Sequence, residues 1–350
     1  MNNQQQRIGY LPDECPPLWK LILYAIQQVI VMFPATVAVA IITGFHISTT
    51  IFASGFATLC FLLVTKRQIP LYYGSSFSYV AAISALMASE ALAGYGLNDK
   101  IAIAQFGIVM SGFVSIIAGI IVNRFGRESI EKVLPASITG PIAIVIGLTL
   151  AANAMQDAAS IAIDASGTLA VAESQAAFAT NMAWIVSLVT LLATILFSVF
   201  LKGFWGQLPL LLGPAVGCLA AFLIRAITGV DLFKVLPETA NSGIFALPIF
   251  TLPKPSWMAV AAIMPIAIAT IPESTAHIYQ LDVYVNDLAK KKGKKTYALA
   301  DKLGLNLIGD GIGDIVSGMI GGPAGTNYGE NISAMAITKV FSVPVLIAAS

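Results

Sequence analysis

Apolar runs of about 20 residues recur through this chain from Leu18 to its last residue, and no other feature narrows the possible folds as far. A helix of that length, rising about 1.5 Å per residue, crosses the roughly 30 Å hydrocarbon core of a bilayer. Ten such runs are predicted, at 18–42, 47–65, 69–92, 101–123, 133–153, 182–201, 206–228, 257–281, 302–322 and 330–350. With 57% hydrophobic residues, 11% charged residues and a mean hydropathy of +0.83, the chain suits lipid rather than water. Lipid offers backbone groups no partners, so the expected fold class is an all-α polytopic membrane protein.

The net charge of +1 conceals an asymmetry among the 19 Lys and Arg. Sorted by alternate loops, one side holds Arg7, Lys20, Lys66, Arg67, Arg124, Arg127, Lys132, Lys202, Lys290, Lys291, Lys292, Lys294, Lys295 and Lys302. The other holds Lys100, Arg225, Lys234 and Lys254, and Lys339 falls within the last run. The positive-inside rule then makes the N-terminal segment 1–17 and the 284–301 loop cytoplasmic, with the loops 154–181 and 229–256 outside. The lysines from Lys290 to Lys295 read as a topology signal beside a membrane helix rather than as a nucleic-acid patch. Residues 1–17 lack the short apolar core and small-residue cleavage site of a secretory signal, so the first helix is expected to direct insertion. Cys15, Cys60 and Cys218 show neither disulfide nor metal-ligand spacing and read as small packing residues.

An internal echo organises the runs. Tyr73-Gly74-Ser75-Ser76-Phe77-Ser78 returns as Tyr328-Gly329-Glu330-Asn331-Ile332-Ser333, 255 residues later (328 − 73), and each copy opens a helix. The copies begin runs three and ten, an odd offset of seven, so they enter the membrane from opposite faces. That is the signature of an inverted repeat, the arrangement of secondary transporters. Met32-Phe33-Pro34-Ala35-Thr36 in run one is echoed more faintly by Met264-Pro265 and Ala269-Thr270 in run eight. Pro70 and Gly74 before one helix, and Gly321, Gly322, Pro323 and Gly325 before the other, predict short extended segments opening helices three and ten. Non-helical backbone at membrane depth lines a cavity or is buried in protein, and paired half-helix starts would aim free N–H groups at a shared site. The same residues also suit close helix packing, and composition leaves both readings open.

Two acids mark that site. Glu273 and Glu330 lie in otherwise apolar runs, where an ionised carboxylate costs about 2.5–3.5 kcal/mol near a helix centre and is usually functional. His277 stands at i+4 from Glu273, on one helix face, so the pair is placed to exchange a proton. A self-contained Glu–His pair packed against a neighbour would have the same spacing. Asp310 and Asp314 are also i, i+4, and the glycines around them favour structural roles. Gln27 and Gln28 offer polar contacts to the site, whereas His46 lies at a helix end and reads as interfacial.

These segments resemble the nucleobase-ascorbate transporter family, and within it the uracil permease branch. The resemblance runs along the whole chain. It rests on Gln27 with Met32-Phe33 and Ala35-Thr36, on Tyr73-Gly74-Ser75-Ser76-Phe77, on Glu273 with His277, and on Tyr328-Gly329-Glu330-Asn331 followed by Met335-Ala336-Ile337-Thr338-Lys339. It implies fourteen helices in two inverted sevens, of which about ten are present here and the last four missing. It also implies a core domain at 18–123 and 257–350, a gate domain at 133–228, and commonly a homodimer. The implied substrate-binding residues are Glu273, Glu330, Phe77, Gly329 and Ser76, with Glu330, His277 and Tyr328 in proton coupling and Gln27, Asn331 and Asp310 in support. No cofactor or metal is implied beyond a coupling ion, expected to be H⁺.

The family resemblance therefore implies a cell-membrane symporter that imports a nucleobase by alternating access. Glu330 resembles the uracil branch, since xanthine and urate transporters tend to carry an amide there. Gln28, Ser333 and the neighbours of Glu273 depart from the family pattern and leave xanthine, urate or another base as alternatives. An inactive truncated relative is a further one. A channel would need a continuous polar path or rings of charge, and an enzyme a nucleophile or metal set, and neither pattern is visible.

Overall fold

The computed structural model describes residues 9–126, 128–133, 136–159, 173–201, 205, 208–233 and 246–350. Arg7, Arg127, Lys202 and Lys234 lie outside the described residues, as do parts of the 1–17 segment and of the loops expected outside at 154–181 and 229–256. The chain divides into two compact units, Met1–Ala143 with Thr239–Ser350, and Ile144–Glu238.

The first unit opens with α1 (Leu18–Thr43) and α2 (Ile47–Val64), separated by Gly44 at φ 77°, a left-handed cap that favours glycine. Strand β1 (Tyr73–Ser75), a 3₁₀ turn (Phe77–Tyr79) and α3 (Val80–Met87) follow, and then α4 (Leu97–Phe125), α5 (Glu128–Val133) and α6 (Ala136–Ala159), which runs into the second unit. That unit adds α7 (Ala176–Phe200) and α8 (Pro209–Thr228), and α7 turns Leu191, Leu192, Leu196 and Val199 outward, a surface suited to hydrocarbon. The chain returns to the first unit with α9 (Trp257–Ile263), α10 (Ala267–Lys291), α11 (Leu303–Ile320), β2 (Gly325–Asn327), α12 (Gly329–Thr338) and α13 (Val343–Ala349). Seven helical segments among the described residues have the length and hydropathy to cross a membrane.

The all-α membrane class holds, with three of the ten runs built differently from single spans. Run three is extended chain followed by a 3₁₀ turn and a short helix, because Pro70 and Gly74 keep the chain from closing helical hydrogen bonds there, and run ten, preceded by extended chain at Gly325–Asn327, is the two short helices α12 and α13 with a break at 339–342. Run eight is interrupted by a 3₁₀ turn at Met264–Ile266 around Pro265, and its helix continues past residue 281 to Lys291. Lys339 lies at the end of α12 in left-handed conformation (φ 58°) rather than within a helix. His46 stands at the start of α2, the helix end expected for it, where it is buried and shares a 2.6 Å hydrogen bond with Asn98. Cys15 and Cys218 are both exposed, so neither is a packing residue of its unit, and Cys60 on α2 is half-buried.

Helix α11 runs along α4 with the two backbones almost touching. Gly112 and Gly119 on α4 are two turns apart, as are Gly304 and Gly311 on α11. A Cβ on Gly112 would lie 2.5 Å from the Gly311 carbonyl oxygen, and one on Gly119 2.6 Å from that of Gly304. Without side chains the helices approach closely, the usual way for membrane helices to gain contact where lipid supplies no hydrophobic drive. This packing holds α11, and the aspartates it carries, against the rest of the unit.

The N-terminal segment is a strap that the sequence pattern did not reveal. Tyr10 bridges Val340: its N–H donates to Lys339 O (2.8 Å), its carbonyl accepts from Phe341 N–H (2.8 Å), and Pro12 O accepts from Val343 N–H (3.1 Å). Lys292 donates to Gly9 O (2.9 Å) and Glu14 Oε2 (2.5 Å), Lys294 donates to Glu14 Oε1 (2.9 Å), and Tyr297 donates to Asp13. Two of the lysines read as a topology signal thus also tie the end of α10 to the segment before α1.

Burial pushes the Glu14 carboxyl up, but hydrogen bonds from Lys292, Lys294 and the Leu11 amide outweigh it and hold the group below its ordinary value of 4.5. A carboxyl held low in the folded state adds stability that is complete above its unfolded value and is lost as pH falls through its folded value. Thermal unfolding in detergent should therefore show Glu14→Gln less stable by about 1–2 kcal/mol near neutral pH. The two proteins should converge below about pH 4.5, where the unaltered carboxyl takes up its proton. Parallel curves from pH 7 to pH 3 would remove Glu14 from the stability of the strap.

Candidate functional site

The two short strands meet deep inside the first unit. They pair antiparallel, Tyr73 with Asn327, Gly74 with Thr326 and Ser75 with Gly325, and all six residues are buried. This register refines the sequence echo. Phe77 and Gly329 each stand two residues past their strand, and Ser78 and Glu330 each stand three past, whereas the echo matched Tyr73 in a strand with Tyr328 beyond one. The repeat is thus offset by 252 residues (325 − 73) at this point. The tyrosines match as letters but occupy different positions in the two copies.

Strands at membrane depth need partners for every polar group, and side chains from α2 and α11 supply them. Ser54 and Thr58 donate to Tyr73 O (2.9 and 3.0 Å), and Tyr73 N–H donates to Thr58 Oγ1 (3.0 Å). Asp314 Oδ1 accepts from the Tyr73 hydroxyl (2.6 Å) and from Gly325 N–H (2.8 Å), so one carboxylate clamps both strands. Asp310 accepts from Ser274 and from Asn327 Nδ2 (3.1 Å), and Asn306 donates to Ser274 Oγ (2.7 Å) and accepts from Asn327 (3.1 Å). Asn306, Asp310 and Asp314 lie on successive turns of α11, a polar stripe visible in the sequence beside the i, i+4 aspartates.

Helix α10 lies beside the starts of both half-helices. Glu273 Oε2 accepts from Ser78 Oγ (3.0 Å) after β1, while a Cβ on Gly329 after β2 would sit 3.0 Å from His277 Nε2. One turn of α10 thus reaches both copies of the repeat. Glu273 and His277 share a face as expected but not a hydrogen bond, because each is drawn to a different half-helix. His277 Nδ1 is buried with no partner among the described residues. Glu330, in the first turn of α12, has no hydrogen-bond or ion-pair partner among the described residues and lies close enough to Glu273 for the carboxylates to interact electrostatically.

Exposure separates this set into two layers. Phe77, Ser78, Glu273, His277, Gly329 and Glu330 are all partly exposed, as groups lining a cleft would be. Behind them Ser76, Tyr328, Asn331, Asp310 and Gln27 are buried. Ser76 Oγ accepts from Ser78 N–H (3.2 Å) and so caps the 3₁₀ turn. Tyr328 OH shares a 3.0 Å hydrogen bond with Thr36 beside Pro34, and Asn331 donates to Gln28 Oε1 (2.8 Å). Gln28 therefore makes the contact to the half-helix, while Gln27 Nε2 has no partner among the described residues. Ser78, Ser274 and Asn327 carry no periodic or charge signal in the sequence, and only the fold shows that each faces a carboxylate, while Thr36 faces the Tyr328 hydroxyl.

A broken pair of helices entered through strands, with acids where the breaks meet, is the architecture of a secondary transporter. The family model described as "Permease family" (Xan_ur_permease) matches residues 19–350, and the chain belongs to that family. It is a transporter and a multi-span membrane protein, not an enzyme. It is 35% identical over 342 residues to the uracil permease of Bacillus caldolyticus, covering 96% of this chain and 70% of that protein. It is 31% identical over 353 residues to the uracil permease of Bacillus subtilis (strain 168), covering 99% and 73%. Among solved structures it is similar to the transmembrane domain of a cyanobacterium bicarbonate transporter, BicA, with a TM-score of 0.56 and 16% identity over 96% of this chain and 82% of that one, a likeness of fold.

Proposed function

We propose that the chain imports a nucleobase, uracil foremost, together with a proton, by alternating access, with its N-terminus in the cytoplasm. The observation that carries this reading is the pair of partly exposed carboxylates, Glu273 on α10 and Glu330 at the start of α12, with Phe77 at the start of the other half-helix. Uracil presents two N–H donors and two carbonyls, which suit carboxylate acceptors and the free N–H groups of a helix start. Phe77 supplies an apolar face for the ring. Relatives that carry the name uracil permease support the choice of base. A proton accompanies the base because moving a bare negative charge through the membrane field costs about 2.3 kcal/mol per 100 mV.

Thermal-shift and radiolabelled binding of uracil, xanthine, urate and adenine to the purified protein test the reading, with Glu273→Ala as control. Uracil is expected to stabilise the protein selectively, and the effect to vanish in the variant. Xanthine binding in its place would move the substrate to the purines, and silence towards all four bases would overturn the nucleobase assignment.

A further inference from the structure

We infer that Asp310 is a neutral carboxylic acid whose proton is given to the side-chain oxygen of Asn327, and that it acts as a positioning residue for β2. Asp310 Oδ2 accepts from Ser274 and from Asn327 Nδ2 (3.1 Å), so this carboxyl and this amide already meet through one hydrogen bond. Asp310 Oδ1 is buried with no partner among the described residues, and so is Asn327 Oδ1. An ionised carboxylate only accepts, as an amide oxygen does, so neither orphan could satisfy the other. A proton on Asp310 Oδ1 turns that oxygen into a donor and leaves the pair one donor and one acceptor.

A carboxylic acid and a primary amide can pair through two hydrogen bonds, N–H to one acid oxygen and O–H from the other acid oxygen to the amide oxygen. The first bond is in place here, and the second uses the two oxygens that lack a partner. Turning the Asn327 amide over does not remove the orphans. Its Nδ2 also donates to Asn306 Oδ1 (3.1 Å), and an oxygen in that position would face acceptors on both Asp310 and Asn306.

The surroundings favour the neutral form. No lysine or arginine pairs with Asp310 among the described residues. The acids near it are Asp314, one turn along α11, and Glu273 on α10, while His277 faces Gly329 and the Tyr73 hydroxyl donates to Asp314. Another ionised carboxylate in this packed interior would add repulsion with no cation to offset it. Asp314 differs: its Oδ1 takes two donors, and it has no orphaned oxygen. Two aspartates at helical spacing thus hold the strands in different states, Asp314 as an ionised clamp and Asp310 as a neutral donor. Asn327 ends β2, two residues before Gly329 and three before Glu330, so the donor on Asp310 steadies the entry to α12.

Infrared spectroscopy of the purified protein, isotopically labelled in its aspartate carboxyls, tests the inference without any ligand, so its failure would leave the nucleobase reading standing. At about pH 8, where an aspartate in water is fully ionised, the unaltered protein is expected to show the carbonyl stretch of a protonated aspartate. The band should disappear in Asp310→Asn and stay in Asp314→Asn. Asparagine also presents one donor group and one acceptor, so Asp310→Asn should melt close to the unaltered protein, whereas Asp310→Ala should melt about 2–6 °C lower. Absence of the band from the unaltered protein overturns the inference, and that reading needs no variant to fold. Loss of the band in Asp314→Asn, or its survival in Asp310→Asn, overturns the assignment to Asp310. An asparagine variant that melts as low as the alanine variant overturns the pairing with Asn327.

Discussion

Replacing Asp314 with alanine should cost about 2–5 kcal/mol of stability and abolish base binding with it. The carboxylate is the acceptor for the Tyr73 hydroxyl and for Gly325 N–H, both buried. Each donor left without a partner costs about 1–3 kcal/mol, and no water is at hand in a packed membrane interior to replace the acceptor. The two donors belong to opposite strands of one pair, so a single substitution loosens both half-helix starts together. Asp314→Asn keeps an acceptor oxygen and should recover most of the stability. Thermal unfolding in detergent, with and without uracil, checks both variants. An alanine variant with the unaltered melting temperature and ligand response would show that the strand pair does not depend on this clamp.

The clamp gives Asp314 on α11 a holding role from a buried position. A three-residue strand pair has too few ladder bonds to persist alone. Here Ser54, Thr58 and Asp314 fix it from two helices, and α11 is itself fixed by close backbone contact with α4. Polar residues at membrane depth therefore divide by exposure. Ser54, Thr58 and Asp314 are buried and hold backbone in place, whereas Glu330, partly exposed at a half-helix start, has no protein partner among the described residues.

Much of this was legible in the sequence, for identifiable reasons. Hydropathy marks membrane helices because lipid forces every span to be long and apolar, and Gly and Pro mark the breaks where they cluster, although single prolines such as Pro34 and Pro272 lie within helices. The extended segments before α3 and α12 could be foreseen from Pro70, Gly74, Gly321, Gly322 and Pro323. The register could not, because Tyr73 and Tyr328 match as letters while the strand pairing shifts the true correspondence by three residues. Periodicity placed Glu273 and His277 on one face but could not show that each is drawn to a different half-helix. The N-terminal strap left no trace either, since hydrogen bonds from Tyr10, Pro12 and Glu14 to residues more than 270 positions away carry no local pattern.

Uphill transport should be lost in Glu330→Gln while binding survives. Glutamine keeps the size and a hydrogen-bonding oxygen but cannot release or take up a proton. Glu330 suits the carrier role on the described geometry: it stands partly exposed in the first turn of α12 with no protein partner, whereas Glu273 is already engaged by Ser78. In proteoliposomes a one-proton symporter can concentrate its substrate at most about tenfold per unit of pH gradient, since one unit is worth about 1.36 kcal/mol. The unaltered protein is expected to approach that limit, and the variant to bring uracil only to equal concentrations on both sides. Exchange of labelled for unlabelled uracil should persist in the variant, because it needs the base site and its reorientation but no net proton movement. Accumulation of uracil by Glu330→Gln under an imposed pH gradient would exclude Glu330 as the carrier and pass the role to His277, whose Nδ1 is buried without a partner among the described residues.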